Sequence, residues 1–241
     1  MAAPTLDAVG SSTASTTNAI TFGFGGNNTA ANSIICMASF CNVVALTAPT
    51  ITSITGGSLT WSMRKFARGN ALGNLELWWA LAATNQTGVT FTANYSGLFD
   101  DASAIVFSVA GCKTAAPWDS NGTISKSASS ASNPWTPSFT GITTTEANDF
   151  LIFLAATDGS WSQPGTLPSG YTIITSRSNS GGSHNAVIAG AYLGVTSTQS
   201  NVTSTWGSSL ANPYPGAEAI FDALTADSAP PSNQRSVYYA T

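Results

Sequence analysis

The chain has 241 residues, of which 43% are hydrophobic and only 7% charged, with a formal net charge of −4. That is ample apolar material for a large core, so disorder is excluded. Arg64, Lys65 and Arg68 form the one basic cluster, too small for a groove that tracks phosphates, and the apolar run Ile34–Ala38 near the start is too short to span a bilayer. With charge well below the usual quarter of residues, solubility falls to Ser, Thr, Asn and Gly, a surface suited to something exported or displayed on a particle. The opening MAAPTLDAVG has neither a basic region nor an apolar stretch and reads as no secretory signal.

Residues 1–18 are small and polar, and the first predicted strand is Ala19–Phe24, broken by Gly25-Gly26-Asn27-Asn28. SIICMASF (Ser33–Phe40), Thr50–Ile54 and Leu59–Phe66 follow as strands. From Leu75 to Gly111 three strand patterns run in succession. Leu75, Leu77, Trp79 and Leu81 share one parity against Glu76, Trp78 and Ala80; Val89–Ala93 lies between two turns; Ile105, Phe107 and Val109 take an inward parity. This period-two pattern predicts a β-meander with one face on a core. Residues 112–141 shift to Ser, Ala, Asn and Pro and read as a long surface excursion with short extended pieces. FLIFLAA (Phe150–Ala156) is continuously apolar, as in a strand covered on both faces. Tyr171–Ser176, Ala186–Val195, Asn201–Trp206 and Glu218–Leu224 complete the set, and no stretch has convincing helical period.

The two halves resemble each other. Thr29-Ala30-Ala31-Asn32 before SIICMASF parallels Thr145-Glu146-Ala147-Asn148 before FLIFLAA, Trp79 and Val89 match Tyr192 and Val202 about 113 positions on, and Ala104–Phe107 matches Glu218–Phe221 at about 114. The expected architecture is a single all-β domain over 1–224, a jelly-roll-like antiparallel β-sandwich built from repeats at about 19–111 and 142–224. Two tandem sandwiches of about 115 residues each, joined through 112–141, are the alternative. The last stretch, 225–241, holds Pro230-Pro231 and ends in Val237-Tyr238-Tyr239. It reads as an arm docking on the body or a neighbouring subunit, with Arg235, Val237, Tyr238 and Tyr239 as the docking residues.

Catalytic chemistry finds little footing. His184, the single imidazole, lies in the flexible SGGSHNA turn, a poor place to hold a base. Ser62-Met63-Arg64-Lys65 spells S-x-x-K but falls in a strand without the companion motifs. Asp100, Asp101 and Asp158 read as turn residues, and no two carboxylates pair in the manner of a glycosidase. Cys36, Cys41 and Cys112 are an odd set that reads as buried free thiols, with no metal site and no cofactor. Trp118, Trp135 and Trp161, in loops beside Pro, Asn, Asp and Ser, are candidate glycan platforms; plugs for the open ends of a sandwich are the plainer reading.

ANDFLIFLAAT, LELWWA with TNQTGVTFTANYSG, and EAIFDAL together resemble a family of β-sandwich proteins encoded in bacteriophage genomes and prophages, over about Ala19 to Leu224. The resemblance implies a virion structural protein without catalytic residues. The expectation is therefore a non-enzymatic capsid decoration or cement protein on the virion surface, assembled in the host cytoplasm. Its partners would be the major capsid protein or other virion proteins and further copies of itself, a trimer by capsid symmetry, with neither nucleic acid nor membrane. A tail-fibre or collar adhesin binding host glycans is the alternative.

Overall fold

The computed structural model describes residues 3–43, 47–69, 72–132, 135–159, 166–180, 185–207 and 217–227. Among them there is no helix. The first half of the chain forms β1 (Thr5–Gly23), β2 (Asn28–Thr29), β3 (Ser33–Asn42), β4 (Ile51–Thr55), β5 (Ser62–Ala67), β6 (Gly73–Ala82), β7 (Gln86–Thr87) and β8 (Thr90–Ala110). The second forms β9 (Lys126–Ser130), β10 (Ser138–Ile142), β11 (Phe150–Asp158), β12 (Thr172–Asn179), β13 (Ala186–Gly194), β14 (Val202–Thr205) and β15 (Ala217–Leu224). Every pairing is antiparallel. One main sheet runs β1-β8-β3-β6-β5, with β4 also on β8; the other runs β12-β13-β11-β15-β9.

Three expectations change. The meander does not form, because β3 inserts between β6 and β8 and pairs with both. A strand whose ten residues are all buried needs hydrogen-bonding partners on both edges, so it takes the centre. The first strand starts well before Ala19: β1 begins at Thr5 and follows β8 along nearly its whole length. The excursion at 112–141 contributes β9, which completes the second sheet, and β10, which pairs with β14. These segments are rich in Ser, Thr and Ala and lack alternating large apolar residues, so hydrophobic period could not reveal them.

The two sheets have the same strand order under the exchange β3/β11, β6/β13, β8/β15, β5/β12 and β1/β9. The ladders fix the register of this equivalence: Cys36 pairs with Trp79 and Phe107, while Ile152 pairs with Tyr192 and Asp222. Asn32 and Asn148, just before the equivalent strands, both have positive φ, at 60° and 62°. Even the irregularities match. A bulge falls between Met63 and Lys65 on β5 and between Ile173 and Thr175 on β12. The letter match of Ala104–Phe107 with Glu218–Phe221, however, is out by one residue. By the ladders Ser103 is equivalent to Glu218 and Phe107 to Asp222. A one-residue slip moves a side chain to the other face, so the distinction decides what lies inside.

The sheets stack face to face. β1 lies against β12, β5 against β9, β8 against β13, and β6 against β15. Exchanging the halves maps each of these contacts onto another in the set, which is the pattern of a two-fold pseudodimer. The central core, including Cys36, Phe40, Leu77, Phe107, Phe150, Ile152, Leu154 and Ile188, is this interface. Each outer face is covered as well. Ile35, Met37 and Cys41 pack under Phe22, Phe91 and Tyr95, and Leu151 and Phe153 pack under Phe139, Ile142 and Trp206. Both main sheets are thus buried on both sides. Cys36 and Cys41 accordingly lie in different cores, and all three cysteines are free and buried.

Candidate functional site

Because the outer faces are covered, acids placed at turns or on a polar face become buried. Asp101, Asp158 and Glu218 have at most 1% exposure, and Glu76 only 2%. Asp101 and Asp158 belong to β8 and β11, not to turns. The chain tolerates these groups by hydrogen bonding or by keeping the proton. Asp101 Oδ1 accepts from Ser15 Oγ (2.6 Å) and Asn179 Nδ2 (2.9 Å). Burial, and then the Asp101 charge, pushes Asp158 up to about 8. Glu218 is also pushed up to about 8, by burial first and partly by Asp158, against lowering from the Gly69 amide and Arg68. Gly73 makes room for it, since a Cβ there would stand 3.0 Å from Glu218 Oε1. At the equivalent place in the other half, Ser103 Oγ donates to Ala186 O at 2.6 Å. On the loop beside β11, Asp119 accepts from the Asn121 and Thr145 amides (2.7 and 2.8 Å), and burial together with Asp119 raises Asp149 to about 8. These carboxyls bind the two halves and their loops together.

Between the sheets, Arg64 at the β5 bulge makes a two-pronged ion pair with Asp222 on β15 (2.8 and 3.1 Å). The equivalent positions hold Ile174 and Phe107, both in the central core. Burial raises the Asp222 carboxyl, while Arg64 and the Ala223 amide pull it back. Trp118 completes this group. Its ring lies 4.8 Å from the Arg64 guanidinium and meets Trp79 edge-on at 6.2 Å. One face of Trp118 is therefore occupied within the fold. Trp135 is half-buried against the core of the second half. The structure does not bring Trp118 and Trp135 together, and Trp161, His184, Arg235, Val237, Tyr238 and Tyr239 lie outside the described residues.

One surface stands out from the Ser/Thr/Asn remainder. Among the described residues, the exposed large hydrophobics are Met63 (49%), Phe66 (52%) and Leu98 (67%), and all three border on Arg68. Arg68 lines three adjoining depressions. One of about 220 Å³ lies between β5 and β9 beside Lys65 and Ser129. A second of about 350 Å³ is walled by Ile51, Met63, Phe66 and Trp78, and a third of about 480 Å³ by Pro49, Thr50 and Leu98. Glu76 forms part of the floor, held by Asn74 Nδ2 (2.6 Å), Trp78 Nε1 (2.7 Å) and the Ile51 amide (3.1 Å). Burial raises its carboxyl and these donors lower it. The sequence signal for this surface was present in two pieces: Met63 and Phe66 next to the basic cluster, and a Glu amid the LELWWA strand. Nothing in the sequence joined them to Leu98.

No protein-family model, curated protein or solved structure matches the chain.

Proposed function

We propose that the chain is a phage virion structural protein, a capsid decoration or cement protein with a jelly-roll-like sandwich body that attaches to the particle by one face. The observation that carries this reading is the gathering of Met63, Phe66 and Leu98 on a single face of a body otherwise clad in small polar residues. A decoration protein needs this division: one apolar contact surface and an uncharged polar exterior. The duplicated, doubly covered sheets supply a rigid body for the task. Partners would be the major capsid protein or other virion proteins, with a homo-oligomer, a trimer by capsid symmetry, as the attached unit. The test is immunogold labelling of intact particles from the phage or prophage that encodes the chain. Regular label over the head is the expected result, and label confined to the neck or tail would overturn it. The adhesin reading rests on glycan stacking by Trp118, Trp135 or Trp161. It is the weaker one, because the Arg64 guanidinium covers one face of Trp118.

A further inference from the structure

The duplication provides an internal comparison for the β5 surface. Both halves build the same sheet, so a residue that the fold requires should have a like counterpart. Met63 corresponds to Ile173 and Phe66 to Ser176, by their pairing with β6 and β13. Asn74, Glu76 and Trp78 correspond to Val187, Ala189 and Ala191. The second half thus makes the same strands with a serine where Phe66 is exposed and with small apolar residues where Glu76 is buried. The sheet is built in the second half without an aromatic at the place of Phe66, so the exposure of Phe66 needs another cause.

The two lateral seams of the sandwich differ in the same sense. Where β12 meets β1, Asn179 Nδ2 bonds Ala14 O (2.7 Å) and Ser15 Oγ (2.9 Å) and closes the seam. At the equivalent place Gly69 lies so close to β9 that a Cβ there would stand 2.2 Å from Ser129 Cβ, and beside this contact a depression of about 220 Å³ runs along Lys65 and Arg68. Among the described residues, β5 is the last strand of its sheet and β9 the last of the other. An unpaired strand edge accepts an added strand, whose alternate side chains then fall to either side. Here one set would meet Phe66, Met63 and Trp78, and the other the seam with Lys65.

The occupant is decided by charge. Among the described residues the ion pairs are Arg64–Asp222 and Lys113–Glu146, so Lys65 has no carboxylate salt-bridged to it there, while Arg68 donates to Ala48 O at 2.9 Å and its charge lowers Glu76 and Glu218. The chain's own residues 228–241 contain Arg235 and no acid. A second copy pairing β5 with β5 would set Lys65 and Arg68 against themselves. We infer that the β5 edge, with Phe66, Met63 and Arg68 on one side and Lys65 on the other, binds an extended acidic segment of a different protein, with apolar residues alternating with Asp or Glu. This inference deepens the attachment reading and rests on it.

The probe is a random peptide library selected on the full chain, with binders then measured against Phe66→Ser and Lys65→Glu variants. Phe66→Ser copies Ser176 and keeps the fold, which an unchanged thermal midpoint verifies. The expected binders alternate apolar with acidic residues and lose about tenfold or more in affinity on Phe66→Ser. They also weaken with added salt on the parent chain and are lost on Lys65→Glu. Peptides that lack acids, or that bind Phe66→Ser as well as the parent, would overturn the inference. So would an empty selection, or light scattering showing a self-association that Phe66→Ser abolishes. Because the virion location is read separately by immunogold, head label with a failed selection would overturn only the occupant, and acidic binders without head label would overturn only the virion reading.

Discussion

Glu218 couples the stability of this protein to pH in an unusual direction. Its side chain is fully buried and holds its proton up to about 8 in the folded chain, against roughly 4.3 when unfolded. Between those values the folded state carries a proton that the unfolded state has lost, so folding takes one up. The stabilisation is fully present below about pH 4.3 and drains away as pH rises towards 8. The slope is about 1.4 kcal/mol per pH unit, so Glu218 alone removes about 4 kcal/mol between pH 5 and pH 8. Glu218→Gln keeps the shape beside Gly73 but cannot ionise. Urea unfolding of both proteins at pH 5, 6.5 and 8 should show the parent losing stability about 1.4 kcal/mol per unit faster than the variant. Parallel pH profiles would refute the reasoning, for they would mean that Glu218 ionises as readily inside the fold as outside it. Asp158, raised to about 8 as well, adds a second proton uptake over the same range, so Asp158→Asn should also flatten the parent's slope.

The Arg64–Asp222 pair should behave as a buried ion pair with an apolar counterpart. Arg64→Ile alone leaves Asp222 uncompensated and should cost about 3–5 kcal/mol, while Arg64→Ile with Asp222→Phe, copying Ile174 and Phe107, should recover most of it in a chemical unfolding cycle. The three thiols should resist iodoacetamide in the native protein at pH 8, since burial raises Cys36 and Cys41 well above the ordinary range and Cys112 to about 12. All three should be alkylated in denaturant, as mass spectrometry will count. At Asn148, with φ of 62°, Asn148→Ala should lower stability by about 1 kcal/mol and Asn148→Gly should be nearly neutral. Asn179→Ala should cost roughly 1–3 kcal/mol in thermal or urea unfolding, because it strips a donor from buried Asp101 Oδ1 and opens the β1–β12 seam.

Much of the fold was legible because its signals are local. FLIFLAA is continuously apolar, as expected of a strand covered on two faces, and it lies at the centre of its sheet, as SIICMASF does in the other. The parity of Leu75, Leu77 and Trp79 put them on the central core, as found. The misread elements are those whose pairing is remote. β9 and residues 5–18 of β1, ahead of the predicted stretch, are edge segments rich in Ser, Thr and Ala that owe their structure to β15 and β8. No residue within them carries a pattern that distinguishes strand from loop. The candidate site divides the same way. The tryptophans were visible as residue types, yet the partners of Trp118 come from β5 and β6. The β5 surface, for its part, joins residues from β4 to β8 that no spacing connects.

Composition and period settled that this is an all-β chain with a large apolar core and little charge, since strand formation and burial follow from side chains read one segment at a time. Which strands neighbour each other, which acids are buried, and where the apolar surface gathers were decided only by the stacking of two like sheets. Stacking is a contact between residues more than a hundred positions apart, as with Arg64 and Asp222. It buries both faces of each sheet at once, turning the polar parity of a strand such as β6 from a solvent face into the floor of a groove.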